Sequence, residues 1–557
     1  MPKKLAITIA GAVSLGSYES GVLYEVLDAI DQHNRAPGTT PANQIIIDVL
    51  TGASAGGMTA IILAQKLLFS AGEFVGPYDN PLYSTWVKRI SLAELQATQK
   101  DEPALLSLFS SDLIETISQE TLKARYSSLP PAPAQRHSAA GDSIRVGVAI
   151  TNLNGVAYGY DVAPSGKFTY IDYCDQLTRY AQAASCDNAE FWEPLRQAAV
   201  ACGAFPIAFR AQDLRRTAKG EPDDYAGENL EPWAHDPATF TYSDGGILQN
   251  QPLGIAKNLV DMIDQHQDQD QRFYLFVSPH AKDPDANDDF HEANADYVHM
   301  MKRLLGVVMG QSGFQDWITA LGVNKRVALL DERATGLKDA IIHGQIDVPA
   351  LATTSDSLLR LFFPDGTHMP PGATAPETLG AAQTRIAAQY ASEMTELSAK
   401  PGQAEAFRDS VLAFESAAGL GARDFMTIYG ITAMDTELAG AGLQAFLGFF
   451  DQTFRDHDYD VGRAHARQVL TNPELANAGG IGPILYTGSA IRPIDARLDG
   501  LKLSGAPAAD LEQFKTGMQE RVKEMARELL GPYVSLVADP LAGLATREVL
   551  NHLIAKF

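Results

Sequence analysis

Two short apolar runs, each entering a glycine-rich turn and leaving it as a helical stripe, leave the N-terminal part of this chain few folds to choose from. In the first, Leu5 to Ala10 reads as a strand and Gly11 to Gly16 as a turn. Val22, Leu23, Val26, Leu27 and Ile30 then form the buried stripe of a helix. In the second, Ile45 to Leu50 is the strand, Gly52 to Gly57 the turn, and Ile61-Ile62-Leu63 opens the buried side of the next helix. Strands apolar on both faces need cover on both faces. The pattern therefore predicts an α/β fold, a mostly parallel sheet with helices on each side.

Further strands are expected at Ile144 to Ile150, Phe240 to Tyr242 and Phe273 to Val277, with a helix over Phe191 to Cys202. The segment from Lys282 to Asp296, rich in Asp, reads as a solvated loop and domain edge. Its spacing does not match a calcium loop. Beyond about residue 300 the chain turns to long Ala, Leu, Glu and Gln-rich stretches, interrupted at Pro364 to Pro376 and Asn472 to Pro493. With 557 residues, this divides into an expected α/β domain at 1–285 and a mainly α-helical C-terminal region at 286–557.

Charge excludes one class of partner. With 44 Lys and Arg against 68 Asp and Glu, the chain carries −24, and no basic cluster is present to neutralise phosphates, so nucleic acid is not expected. The same balance disfavours an electrostatic hold on anionic lipid, so transient contact with a membrane surface would have to be apolar. Three cysteines, Cys174, Cys186 and Cys202, form no C-x-x-C pair and predict neither a disulfide framework nor a thiolate metal site. The N-terminus runs straight into a strand and no apolar run spans a bilayer. A cytoplasmic location, peripheral at membranes at most, is expected.

The chemistry concentrates at Gly52-Ala53-Ser54-Ala55-Gly56. This is G-x-S-x-G set directly between strand and helix, the context of a nucleophile elbow. A serine forced into so sharp a turn needs neighbours without Cβ atoms, and the helix then aims its free N–H groups at the reacting oxygen. The alternative is a small-residue turn that packs strand on helix. The first turn, Gly11-Ala12-Val13-Ser14-Leu15-Gly16, lacks the Lys of a phosphate loop and the central Gly of a dinucleotide fingerprint. It reads as an ordinary tight turn or, with the N–H of Ala55, as an oxyanion hole.

A hydroxyl nucleophile needs a base. His235, His266, His280, His291 and His299 lie downstream in polar contexts, and His457-Asp458 with His465 lack a third ligand for a metal. The better candidate is Asp244, at the end of the Phe240 to Tyr242 strand and followed by Gly245 and Gly246, where open α/β sheets place their sites. Alone, Asp-Gly-Gly is a turn.

Taken in order, Gly11 to Gly16, Gly52 to Gly56, Ala199 to Pro206 and Asp244-Gly245-Gly246 resemble the four blocks of patatin-like phospholipases. The resemblance covers roughly residues 5 to 280. It implies hydrolysis of lipid or phospholipid acyl esters by a Ser-Asp dyad, Ser54 as nucleophile and Asp244 as base, without His, metal or cofactor. It further implies an oxyanion loop at Gly11, Ala12 and Val13. Ala12 and Val13 stand where the family usually has glycines, and Leu15 where it has a basic residue. The Val13-Ser14-Leu15 core, with the stretch Phe446 to Leu470, resembles longer bacterial patatin-related proteins.

Two other readings stay open at this level. One is a His-dependent α/β-hydrolase, esterase or acyltransferase. The other is a non-catalytic patatin-like scaffold whose helical part binds a partner. Leu443 to Phe450 offers an apolar stretch for bilayer contact or for core packing.

Overall fold

The computed structural model describes residues 2–97, 103–128, 131–162, 166–218, 225, 229–264, 272–281, 290–292, 296, 300, 303–304, 307, 315–368, 376–421, 426–472, 483–502 and 508–530. Most of the Lys282 to Asp296 segment lies outside them.

The two N-terminal strand-turn-helix units form as their apolar pattern requires. Strand β1 (Lys3–Ile9) leads through the glycine turn into helix α1 (Gly16–Arg35), and β2 (Ile45–Gly52) into α2 (Ala55–Phe69). β1 and β2 pair in parallel, with Leu5, Ile7, Ile9, Ile47 and Leu50 at or below 5% exposure. Each such buried Ile or Leu contributes about 1.5–3 kcal/mol relative to exposure. The remaining early strands are β3 (Ala140–Val162), β4 (Gly166–Gln182), β5 (Gln212–Arg216), β6 (Ala238–Asp244) and β7 (Arg272–Ala281). The helix expected at Phe191 runs from Ala189 to Cys202, capped by Asn188, whose side chain accepts the Phe191 N–H.

By packing, the chain falls into two compact units. The first comprises Met1–Val260, Asp270–Gln315 and Ile428–Phe557, and the second Asp261–Gln269 and Asp316–Thr427. This grouping differs from a division at residue 285, because the C-terminal segment packs with the sheet.

The second unit is helical. Its helices Gln315–Ile342, Val348–Phe362, Leu379–Gln389 and Gln403–Ala417 bury Val327, Leu359, Ile386, Phe407 and Leu412, and a two-residue pairing joins β8 (Thr367–His368) to β9 (Glu377–Thr378). Arg385 bridges Glu377 and Glu415 inside it.

The first unit holds an eight-stranded sheet in the order β10-β7-β1-β2-β3-β6-β5, with β4 paired to β3 and β10 (Ile428–Met434) at one edge. From β10 to β3 every pairing is parallel, whereas β4, β6 and β5 run antiparallel to their neighbours. Strand β10 lies where strand signals are sparse, since Gly430 interrupts its short apolar run. Among the described residues no helix is long and apolar enough to cross a membrane.

Candidate active site

Ser54 sits in the sharp turn between β2 and α2 with φ 51° and ψ −127°, a left-handed conformation that a residue with a Cβ adopts only under constraint. The constraint is visible in its neighbours. A Cβ on Gly52 would lie 2.3 Å from the Gly56 carbonyl oxygen, and one on Gly56 would lie 2.3 Å from that of Ala10. Backbone runs too close on both sides for any side chain, so the turn closes around Ser54 alone.

Across the sheet, Asp244 ends β6 opposite Ile150 of β3, while Gly52 ends β2 opposite Val148 of the same strand. The register therefore brings the two strand ends to one rim. Ser54 Oγ donates to Asp244 Oδ2 at 2.6 Å, and the other carboxylate oxygen, Oδ1, accepts the Gly246 N–H at 2.7 Å. The main chain of Asp244 is fixed as well: its N–H donates to the Ala204 carbonyl at 3.0 Å, and its carbonyl accepts the Thr151 hydroxyl at 2.8 Å. Cys202, two residues before Ala204, donates its thiol to the Ser54 carbonyl at 3.6 Å. The Ala199 to Pro206 block thus touches both candidates.

Asp244 is 1% exposed, and burial pushes its carboxyl up to about 7, against a smaller downward pull from the Ser54 and Gly246 hydrogen bonds. A carboxylate poised near neutrality and bonded to a hydroxyl is suited to take a proton from it.

The first turn lies beside Ser54, but its donors differ from expectation at one position. The Gly11 N–H already donates to the Asn250 carbonyl at 3.0 Å, so Gly11 is not a free oxyanion donor. Its contribution is space: a Cβ there would lie 2.0 Å from Asn250 Oδ1 and 3.0 Å from Ser54 Cβ. The N–H groups of Ala12, Val13 and Ala55 have no acceptor among the described residues. Val13 reaches its place only at φ 52°. Gly16 opens α1 against the Trp86 ring, and Gly245 opens the short turn after Asp244.

Nothing local in the sequence marks Asn250. Its Nδ2 faces the Gly11 carbonyl at 3.4 Å, and a Cβ on Gly246 would meet its Oδ1 at 2.6 Å. It is wedged between the first turn and the turn that follows Asp244.

A small apolar void of about 30 Å³ lies along α2, lined by Met58, Ile62, Trp86, Ile90, Ile117 and Ala199 among others. Met58 and Ile62 stand four and eight residues after Ser54, on its face of α2. At ~1.5 Å rise per residue the cavity begins about 6 Å along the helix from the hydroxyl.

Of the histidines weighed as bases, His235 and His291 are exposed, and His266, His299 and the side chain of His280 lie outside the described residues. His457 is engaged by Asp458 and Asp499. Among the described residues no three His, Cys, Asp or Glu side chains converge to hold a metal ion. Ala445, Leu447, Phe449 and Phe450 are buried in the core, so that stretch packs inward.

Residues 7–257 match the family model of patatin-like phospholipases. Among curated relatives, the chain is 27% identical over 335 residues to the uncharacterized membrane protein Rv3479 of Mycobacterium tuberculosis, across 53% of this chain and 29% of that protein. It is 22% identical over 324 residues to the uncharacterized protein y4iI of Sinorhizobium fredii, across 46% of this chain and 45% of that protein. The chain thus spans less than half the length of either relative. Among solved structures it aligns with VipD from Legionella pneumophila at a TM-score of 0.22 and 11% identity, covering 100% of this chain and 88% of that one, a likeness too slight to carry an argument.

Proposed function

Residues 7–257 are a patatin-like phospholipase domain, and from that premise we propose that the chain hydrolyses acyl esters of lipids through a dyad of Ser54 and Asp244. The observation that carries this reading is the 2.6 Å hydrogen bond from Ser54 Oγ to a buried Asp244 carboxylate.

Ser54 Oγ attacks the ester carbonyl carbon while its proton passes to Asp244 Oδ2. The developing oxyanion is stabilised by the N–H groups of Ala12, Val13 and Ala55, aided by the positive end of α2. Collapse breaks the bond to the alcohol, which leaves with the proton from Asp244. Water then loses a proton to Asp244 and attacks the acyl-Ser54 ester. The fatty acid departs and the proton returns to Ser54. General-base help of this kind is worth roughly 10²–10⁴-fold, and each oxyanion donor about 10²–10³-fold.

Transient membrane contact is assigned to the β3–β4 hairpin, where Phe168, Ile171 and Tyr173 are exposed.

Incubation of the full chain with a mixed lipid extract, products read by mass spectrometry, tests the proposal. Free fatty acid should appear with the wild type and not with Ser54→Ala. Equal release from both chains would overturn it.

A further inference from the structure

The stretch Phe446 to Leu470 lies outside the matched family domain, yet it ends up against the first turn. Ser14, 1% exposed and next to Val13, donates its hydroxyl to the Ala445 carbonyl. Gly448 lies directly over it, since a Cβ there would come within 2.5 Å of Ser14 Oγ. Gly440 sits close to Leu15, whose Cδ2 lies 3.0 Å from where a Cβ on Gly440 would be.

This segment is itself held from the helix Gln452–Leu470. Asp458, fully buried, accepts the Ala439 N–H at 2.7 Å and the Gly440 N–H at 2.9 Å, one on each oxygen. Arg455, 2% exposed, donates to the Gly448 carbonyl at 2.7 Å and to the Val87 carbonyl at 2.9 Å. The helix in turn crosses α1 at a glycine pair: a Cβ on Gly21 would strike the Tyr459 carbonyl oxygen at 1.9 Å, and one on Gly462 that of Tyr18 at 2.2 Å. Arg463 closes the crossing on Glu25 at 2.9 Å, both fully buried.

The anchored turn is strained. Val13 is β-branched and stands at φ 52°, a conformation that persists only where surrounding contacts over-determine it. A glycine at that position would hold the turn unaided. With valine there, an external hold is needed: Asn250 Nδ2 reaches the Gly11 carbonyl at the start of the turn, and Ser14, directly beside Val13, is held by its hydrogen bond to Ala445.

We propose that Ser14, Arg455 and Asp458 are positioning residues, clamping the 438–450 segment onto the first turn and so aiming the Ala12 and Val13 N–H groups at the oxyanion. This rests on the Ser54 acyl-hydrolase reading. It makes the C-terminal segment a working part of the site, so that the family-matched stretch is not sufficient for turnover.

The test uses the full chain with Ser14→Ala, and with Arg455→Gln as a second variant reaching the same segment from its other side. Ester hydrolysis is read as kcat and KM separately, alongside the thermal midpoint. The expected result is a kcat loss of about tenfold to a hundredfold, with KM within about twofold and the fold retained. Adding Val13→Gly to Ser14→Ala relieves the strain and should recover part of the lost kcat, which a merely structural defect would not do. Wild-type kcat in both single variants, or a double variant no better than Ser14→Ala, would overturn the proposal. A Ser54→Ala chain that still hydrolyses ester would instead overturn the reading beneath it, so the two failures are distinguishable.

Discussion

Ser54 and Asp244 lie 190 positions apart in the chain and 2.6 Å apart in space. What joins them is register: both strand ends face β3, Gly52 at Val148 and Asp244 at Ile150. Because side chains alternate along a strand, a one-residue slip of β6 would turn the carboxylate to the opposite face of the sheet.

The first prediction concerns the elbow. Ser54→Ala should lower ester hydrolysis by at least about a thousandfold and abolish labelling by a fluorophosphonate probe. Since φ at this position is 51°, Ser54→Gly should melt at a higher temperature than Ser54→Ala while being equally inactive. Calorimetry on the two variants checks it; equal midpoints would show that the turn stores no strain.

Next is the pH profile. Asp244 must be ionised to accept the proton, and burial raises its carboxyl to about 7, so kcat/KM should rise with pH through that region and plateau above it. A rate already flat from pH 5 upward would contradict this placement of the base.

Stability should respond with the opposite sign. A carboxyl whose folded pKa is raised binds its proton more tightly when folded, so its contribution is greatest below the unfolded value of 3.8 and is lost as pH rises through about 7. Asp244→Asn removes the buried charge. Its thermal midpoint should exceed the wild type's above pH 7, with the gap closing toward pH 4.

Asn250→Ala should loosen the wedge between Gly11 and Gly246. The expected effect is about a tenfold fall in kcat, from less exact placement of turn and base, with KM little changed. A purely structural role would instead lower the thermal midpoint and leave kcat per folded molecule intact.

The early fold is readable in the residues because β1 and β2 are apolar on both faces and their turns are glycine-rich, signals that need no tertiary context. Ser54 and Asp244 are marked in the same way, by glycines that let backbone approach. Strand β10 is not marked, since an edge strand with one buried face and a glycine inside it differs little from a loop. Asn250 and the Ser14 to Ala445 contact are also unmarked. The Asn looks like a turn residue, and a hydroxyl bonded to a carbonyl 431 positions away leaves no local trace.

The order of strands carries a last consequence. β7 and β10 are neighbours in the sheet, yet residues 316–427 fall between them in the chain and, with Asp261–Gln269 just before β7, form a unit of their own. The longer piece is a parenthesis in the polypeptide, opened after one strand and closed before the adjoining one. Its length and composition can be rewritten without re-threading a single rung of the ladder that carries Ser54 and Asp244.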